Sequence, residues 1–152
     1  KQDVGRMDAD SRGYTLDISE HLFRLTTESL RIHSNETKAY QTLENLVDAR
    51  TGDLSRINDH DTSTLKEHLV TIPTQGNIRI ELSISRTSAD NLDQVKDLLS
   101  KQLNTNLSVG DALSVLLFDY IVEQKTARVL EKLDLDNVIA FATPGAASGS
   151  QH

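Results

Sequence analysis

The chain contains no cysteine among its 152 residues, which excludes disulfides and thiolate metal sites and leaves the redox compartment open. No apolar run approaches the roughly 20 residues of a membrane-spanning helix. The opening residues KQDVGRMDADSRG are too polar for a secretory signal, so a cytoplasmic protein without a membrane segment is expected. There is no glycine-rich phosphate loop, since Gly110 stands alone, and no Gly-x-Ser-x-Gly nucleophile elbow. Carboxylates such as Asp93, Asp97 and Glu123 are scattered along helix faces and read as solvated surface. These absences point to a protein that is not an enzyme and needs no cofactor.

Positive charge is also in short supply. Sixteen Lys and Arg face 23 Asp and Glu, for a net charge of −7. Non-specific coating of nucleic acid is carried by cations at phosphates, so this balance excludes a general nucleic-acid coat and leaves room only for a small reading surface. The acid is uneven: residues 1–76 carry 9 basic and 13 acidic side chains, residues 77–132 carry 7 and 8, and residues 133–152 carry 0 and 2.

Metal ligation finds little support. Asp59, His60, Asp61 and His68 match no common ligand spacing in a loop-like stretch. His21 and His33 are more than three helical turns apart and cannot share an ion. No metal site is expected.

The clearest pattern lies in 77–132. Ile78, Ile80, Leu82 and Ile84 alternate with Arg79, Glu81, Ser83 and Ser85, which predicts a strand with one apolar face. Ser88 is the expected N-cap of a helix over 88–103 carrying Leu92, Val95, Leu98, Leu99 and Leu103 at helical spacing. Asn104-Thr105-Asn106 breaks it, and Ser108 caps a second helix with Ala112, Leu113, Leu116, Leu117, Tyr120 and Ile121 on one face, continuing to about Leu133.

Residues 14–49 carry a fainter version of the same unit. Tyr14, Leu16 and Ile18 alternate with polar residues, Leu22, Leu25, Ser29 and Ile32 form a helical stripe, and Ser34-Asn35 breaks it. Ala39, Tyr40, Leu43 and Val47 then repeat the spacing of Ala112, Leu113, Leu116 and Tyr120. Residues 51–76, punctuated by Gly52, Pro73 and Gly76, read as a linker with a short helix near 61–68. Residues 1–12 are expected to be a disordered arm and 133–152 a C-terminal tail whose end, 143–152, is rich in small residues.

A strand, a capped helix, a polar turn and a second helix resemble the ribbon-helix-helix family of DNA-binding proteins. The fold class implied is mainly α with a short antiparallel β ribbon, as a homodimer or as a tandem pseudo-dimer whose second copy is 13–50. A strand with one apolar face cannot satisfy its own edge, and so small a unit cannot bury a core alone. The partner strand is therefore either 78–85 of another chain or 14–19 of this one.

The resemblance implies that Arg79, Glu81 and Ser83 face the major groove and contact bases, with Arg79 reading guanine. It implies that Ser108, Val109 and Gly110 clamp a phosphate at the second helix, although Asp111 competes there. It implies a dimer core of Ile80, Leu82, Ile84, Leu116 and Tyr120. Sequence-specific double-stranded DNA is then the ligand, and repression or a plasmid partition or transfer complex the task. The alternative is an acidic helical protein-interaction module, antitoxin-like or an adaptor, that binds no DNA. In either case the N-terminal helical segment is a candidate docking arm for a protein partner.

Overall fold

The computed structural model describes residues 11–52 and 61–142. Most of the predicted N-terminal arm, the end of the predicted tail, and Asp59 and His60 lie outside the described residues. Among the described residues, five helices and two strands follow one another: β1 (Ser11–Ile18), α1 (Glu20–Thr37), α2 (Leu43–Arg50), α3 (Thr62–Thr71), β2 (Ile78–Ser85), α4 (Arg86–Leu103) and α5 (Val109–Ala142). The fold is mainly helical with one two-stranded antiparallel sheet. One compact unit ends at Tyr120 and a second begins at Ile121.

The partner of β2 is β1 of the same chain. The register runs from Ser11 opposite Ser85 to Ile18 opposite Ile78. Tyr14, Ile18, Leu82 and Ile84 are buried on one face of this ribbon, while Gly13, Thr15, Arg79, Glu81 and Ser83 are exposed on the other. That is the period-two alternation expected of a sheet packed on one side.

The two halves of the chain repeat each other. Ser19 caps α1 by accepting from the Leu22 N–H, and Ser85 caps α4 by accepting from the Ser88 N–H. Both helices have 18 residues and end on a left-handed residue, Lys38 and Asn104. Thr42 accepts from the Asn45 N–H at the start of α2, as Ser108 does from the Asp111 N–H at the start of α5. Even the turns agree, because the Gln41 N–H donates to Ser34 Oγ and the Leu107 N–H to Ser100 Oγ. The same 66 positions separate Ser19 from Ser85, Lys38 from Asn104, Thr42 from Ser108 and Ser34 from Ser100. Thr15 and Glu81, also 66 apart, stand directly opposite each other in the ribbon. Register and repeat therefore define one pseudo-two-fold axis, which passes between those two residues.

Several expectations need correction. The N-cap of α4 is Ser85, and Ser88 lies one turn inside the helix, buried. α1 runs through Ser34-Asn35 to Thr37. Ala39 and Tyr40 are turn residues, with Tyr40 fully exposed at 102%, so matching Ala39 to Ala112 placed the repeat seven residues out of step. α5 continues to Ala142 rather than stopping near Leu133.

The core forms where α1, α2, α4 and the first part of α5 meet the inner face of the ribbon. Leu22, Leu46, Leu92, Val95, Leu99 and Leu113 are fully buried. In α1, Thr26 and Ser29 occupy core positions and are themselves buried. Their hydroxyls donate to the Phe23 and Leu25 carbonyls one turn back, which removes the cost of burying them.

Part of the predicted linker belongs to this core. α3 buries Leu65 completely, and His68 Nε2 shares a 2.8 Å hydrogen bond with the buried Ser114 Oγ on α5. The His68 ring stacks on Phe118 at 4.4 Å between centroids. Burial pushes the His68 imidazole below its ordinary 6.5, and Ser114 opposes the shift only in part. The unfolded chain then binds the proton more readily than the folded one, so stability is full above about pH 6.5 and is lost as pH falls through the lowered folded value. Thermal melts are expected to show a lower Tm near pH 5 than near pH 7.5. In His68→Gln the part of that difference due to α3 docking should disappear; an unchanged difference would mean that other groups carry it.

Candidate binding surface

The outward face of the ribbon is built by strand register. Asp17 and Arg79 are directly opposite in the pairing. Arg79 Nε donates to Asp17 Oδ1 at 2.9 Å and its terminal nitrogen to Oδ2 at 3.3 Å, a forked ion pair across the strands. The hydrogen bond from Arg79 holds the Asp17 carboxyl below its usual range. Both side chains are more than half exposed, so the pair adds little stability. Its consequence is chemical: the cation that the resemblance assigns to guanine already has a carboxylate partner.

Glu81 occupies the middle of this face, beside the pseudo-two-fold axis and opposite Thr15. Ser83 lies opposite Gly13, and its backbone N–H points to Glu44 Oε2 at a long 3.4 Å. Glu44 stands in the first turn of α2, which packs on β2. Ser85 Oγ points to Asp48 at 3.4 Å. The face and its β2 border thus hold Arg79 against Asp17, Glu81, Glu44 and Asp48.

On the other border, α5 begins beside β1. Ser108, Val109 and Gly110 line a recess of about 530 Å³ together with residues 15–18 of β1 and Thr74, Gln75 and Gly76. Asp111 occupies the helix end there. Its Oδ2 accepts from the Ser108 N–H and its Oδ1 from the Thr74 hydroxyl, while its own N–H donates to Ser108. This is a reciprocal capping box extended to the segment before β2.

That segment also bonds along the end of β1. The Ser19 N–H donates to the Thr74 carbonyl, the Gly76 N–H to the Asp17 carbonyl, and Ser19 Oγ to the Pro73 carbonyl. The other edge, at β2, faces α2. The end of β1 and Ser83 of β2 thus have hydrogen-bond partners outside the ribbon, which limits strand addition there.

Arg79, Glu81 and Ser83 therefore share one exposed face, and Ser108, Val109 and Gly110 lie at its border. Leu82, Ile84, Leu116 and Tyr120 are buried and Ile80 is half-buried, but within a single chain. Asp17, Glu44 and Thr74, which define the chemistry of the face, escaped the sequence reading. Asp17 could have been found from the antiparallel pairing of 14–19 with 78–85; Glu44 and Thr74 become neighbours only through tertiary packing. His68 is committed to Ser114, and among the described residues no cluster of His and carboxylates could hold a metal ion. No helix among the described residues is long and apolar enough to cross a membrane. Compared with protein-family models, curated proteins and solved structures, the chain matches none.

Proposed function

We propose that the chain is a tandem ribbon-helix-helix-like module, a pseudo-dimer within one polypeptide, that acts by binding rather than catalysis. The ligand we assign to its ribbon is a basic protein segment rather than the DNA major groove. One observation carries the choice of ligand: the outward ribbon face is acidic, with Arg79 held by Asp17, Glu81 at its centre and Glu44 on its rim. A ribbon inserted into the major groove lies between two rows of phosphates, where unpaired carboxylates repel. The same carboxylates attract Lys and Arg side chains on a protein, and this complementarity would select partners by charge.

The second reading, sequence-specific DNA binding with a role in repression or in plasmid partition or transfer, draws support from the start of α5. Val109 and Gly110 line the recess beside β1, and first-turn N–H groups have no partner within their own helix.

Fluorescence anisotropy of the full chain against two probes separates the readings. With a random-sequence duplex at about 50 mM salt, no saturable binding is expected up to about 10 µM, a concentration at which non-specific duplex binders respond. A short Lys/Arg-rich peptide should bind the wild type and lose at least about tenfold in affinity to Glu81→Lys. Combining Asp17→Ser with Glu81→Lys frees Arg79 and should make duplex binding measurable. Saturable, salt-sensitive duplex binding by the wild type would restore the DNA reading.

A further inference from the structure

We infer that the last part of α5 is a self-association helix that pairs with the same segment of a second copy of this chain, the two helices running parallel. Every side chain over 125–134 is exposed. Three of them are large and apolar: Val129 at 58%, Leu130 at 56% and Leu133 at 53% exposure. On a helix of about 3.6 residues per turn these three fall with Val122 and Thr126 in one sector of about 100°. A helical segment with an apolar stripe gains most of its stability from burying that stripe, and here its 126–133 part is open to solvent.

The charges beside the stripe identify the occupant. Lys125 and Lys132 border it on one side, and Glu123 and Asp134 on the other. Two copies related by a two-fold axis parallel to the helices place the basic border of each against the acidic border of its partner. An antiparallel pair related by a perpendicular axis would instead set lysine against lysine and carboxylate against carboxylate. In the parallel arrangement Lys132 and Asp134 of opposite copies differ by two residues along the axis, about 3 Å, within reach of flexible side chains. β1 and β2 already pair with each other, so the ribbon has no unpaired strand to exchange with a second copy.

Sedimentation equilibrium of the full chain at about 0.1 mM, a concentration that detects micromolar association, should give twice the 16.9 kDa monomer mass. Val129→Asp combined with Leu133→Asp should return it to the monomer mass while keeping the cooperative thermal transition of the core, since both positions are exposed; any loss of helix signal is confined to the separated segment. Lys125→Glu with Lys132→Glu makes both borders acidic and should weaken the dimer at least about tenfold, with high salt restoring part of the loss. Because the chain has no cysteine, Val129→Cys introduces one thiol, which should oxidise to a disulfide-linked dimer only if position 129 meets its own copy. A monomeric wild type, or a dimer that survives the double aspartate variant, overturns the proposal. Loss of the dimer in that variant without cross-linking through residue 129 overturns the parallel arrangement.

Discussion

Gly76→Ala should lower stability by about 3 kcal/mol and Tm by about 10 °C, the largest effect expected from adding a single methyl group to this chain. The cause is a backbone contact rather than a turn conformation. A Cβ at position 76 would stand 2.5 Å from the Ser19 Cα, 2.6 Å from the Ile18 carbonyl oxygen and 2.8 Å from the Ser19 nitrogen. None of these atoms can swing aside as a side chain could. Relief requires the 73–76 segment to lift from β1, which breaks the Gly76-to-Asp17 and Ser19-to-Thr74 backbone bonds together. It also draws Thr74 away from Asp111 and loosens the cap of α5. Gly13→Ala is the control: a Cβ there meets nothing within 4 Å, and strand propensity makes that change neutral or slightly stabilising. Thermal denaturation of the two variants checks the pair. Equal melting temperatures would mean that the segment before β2 is not held against β1 in solution.

The ribbon and the second half of the molecule were legible in sequence because their apolar residues are unmixed. Ile78, Ile80, Leu82 and Ile84 alternate cleanly, and Leu92, Val95, Leu99 and Leu103 repeat at helical spacing. The first copy was blurred by Thr26 and Ser29, which sit where Leu92 and Val95 sit in the second and satisfy their hydroxyls on their own helix. Its phase is ambiguous in sequence for a geometric reason. A shift of seven residues is close to two helical turns, so an amphipathic stripe matches itself almost as well at the wrong register as at the right one. The caps, which have no such periodicity, break the tie: Ser19 with Ser85 and Thr42 with Ser108 give one offset. α3 is hard to tell from a linker in sequence, because ten residues with two buried side chains carry a weak periodic signal. The ion pair on the outer face depends on register, and that register follows from pairing 14–19 with 78–85. Glu44 and Thr74 approach the ribbon through packing that no local pattern encodes.

The two halves are also joined by one partly buried ion pair, and removing its cation should cost nearly as much as the change at Gly76. Arg50, at the end of α2, donates to Asp119 of α5 at 2.9 Å, with the two side chains only 15% and 9% exposed. The guanidinium also lies 5.2 Å from the centre of the Tyr120 ring, and Tyr120 meets His33 of α1 edge-on at 5.9 Å. Arg50 therefore ties α2 to the long helix of the second copy, and Tyr120 beside it ties that helix to α1. Arg50→Ala removes it and leaves the Asp119 carboxylate buried without that partner, which should destabilise the fold by about 3 kcal/mol. Asp119→Ala should cost a comparable amount, because the part-buried guanidinium loses this carboxylate. The double variant Arg50→Met with Asp119→Leu carries no charge to strand and fills similar volume, so it should lie within about 1 kcal/mol of the wild type. A double-mutant cycle by urea denaturation reads this non-additivity directly. If the two single losses simply add in the double variant, the pair is not the joint between the halves, and the cost belongs to packing of the arginine stem against Tyr120.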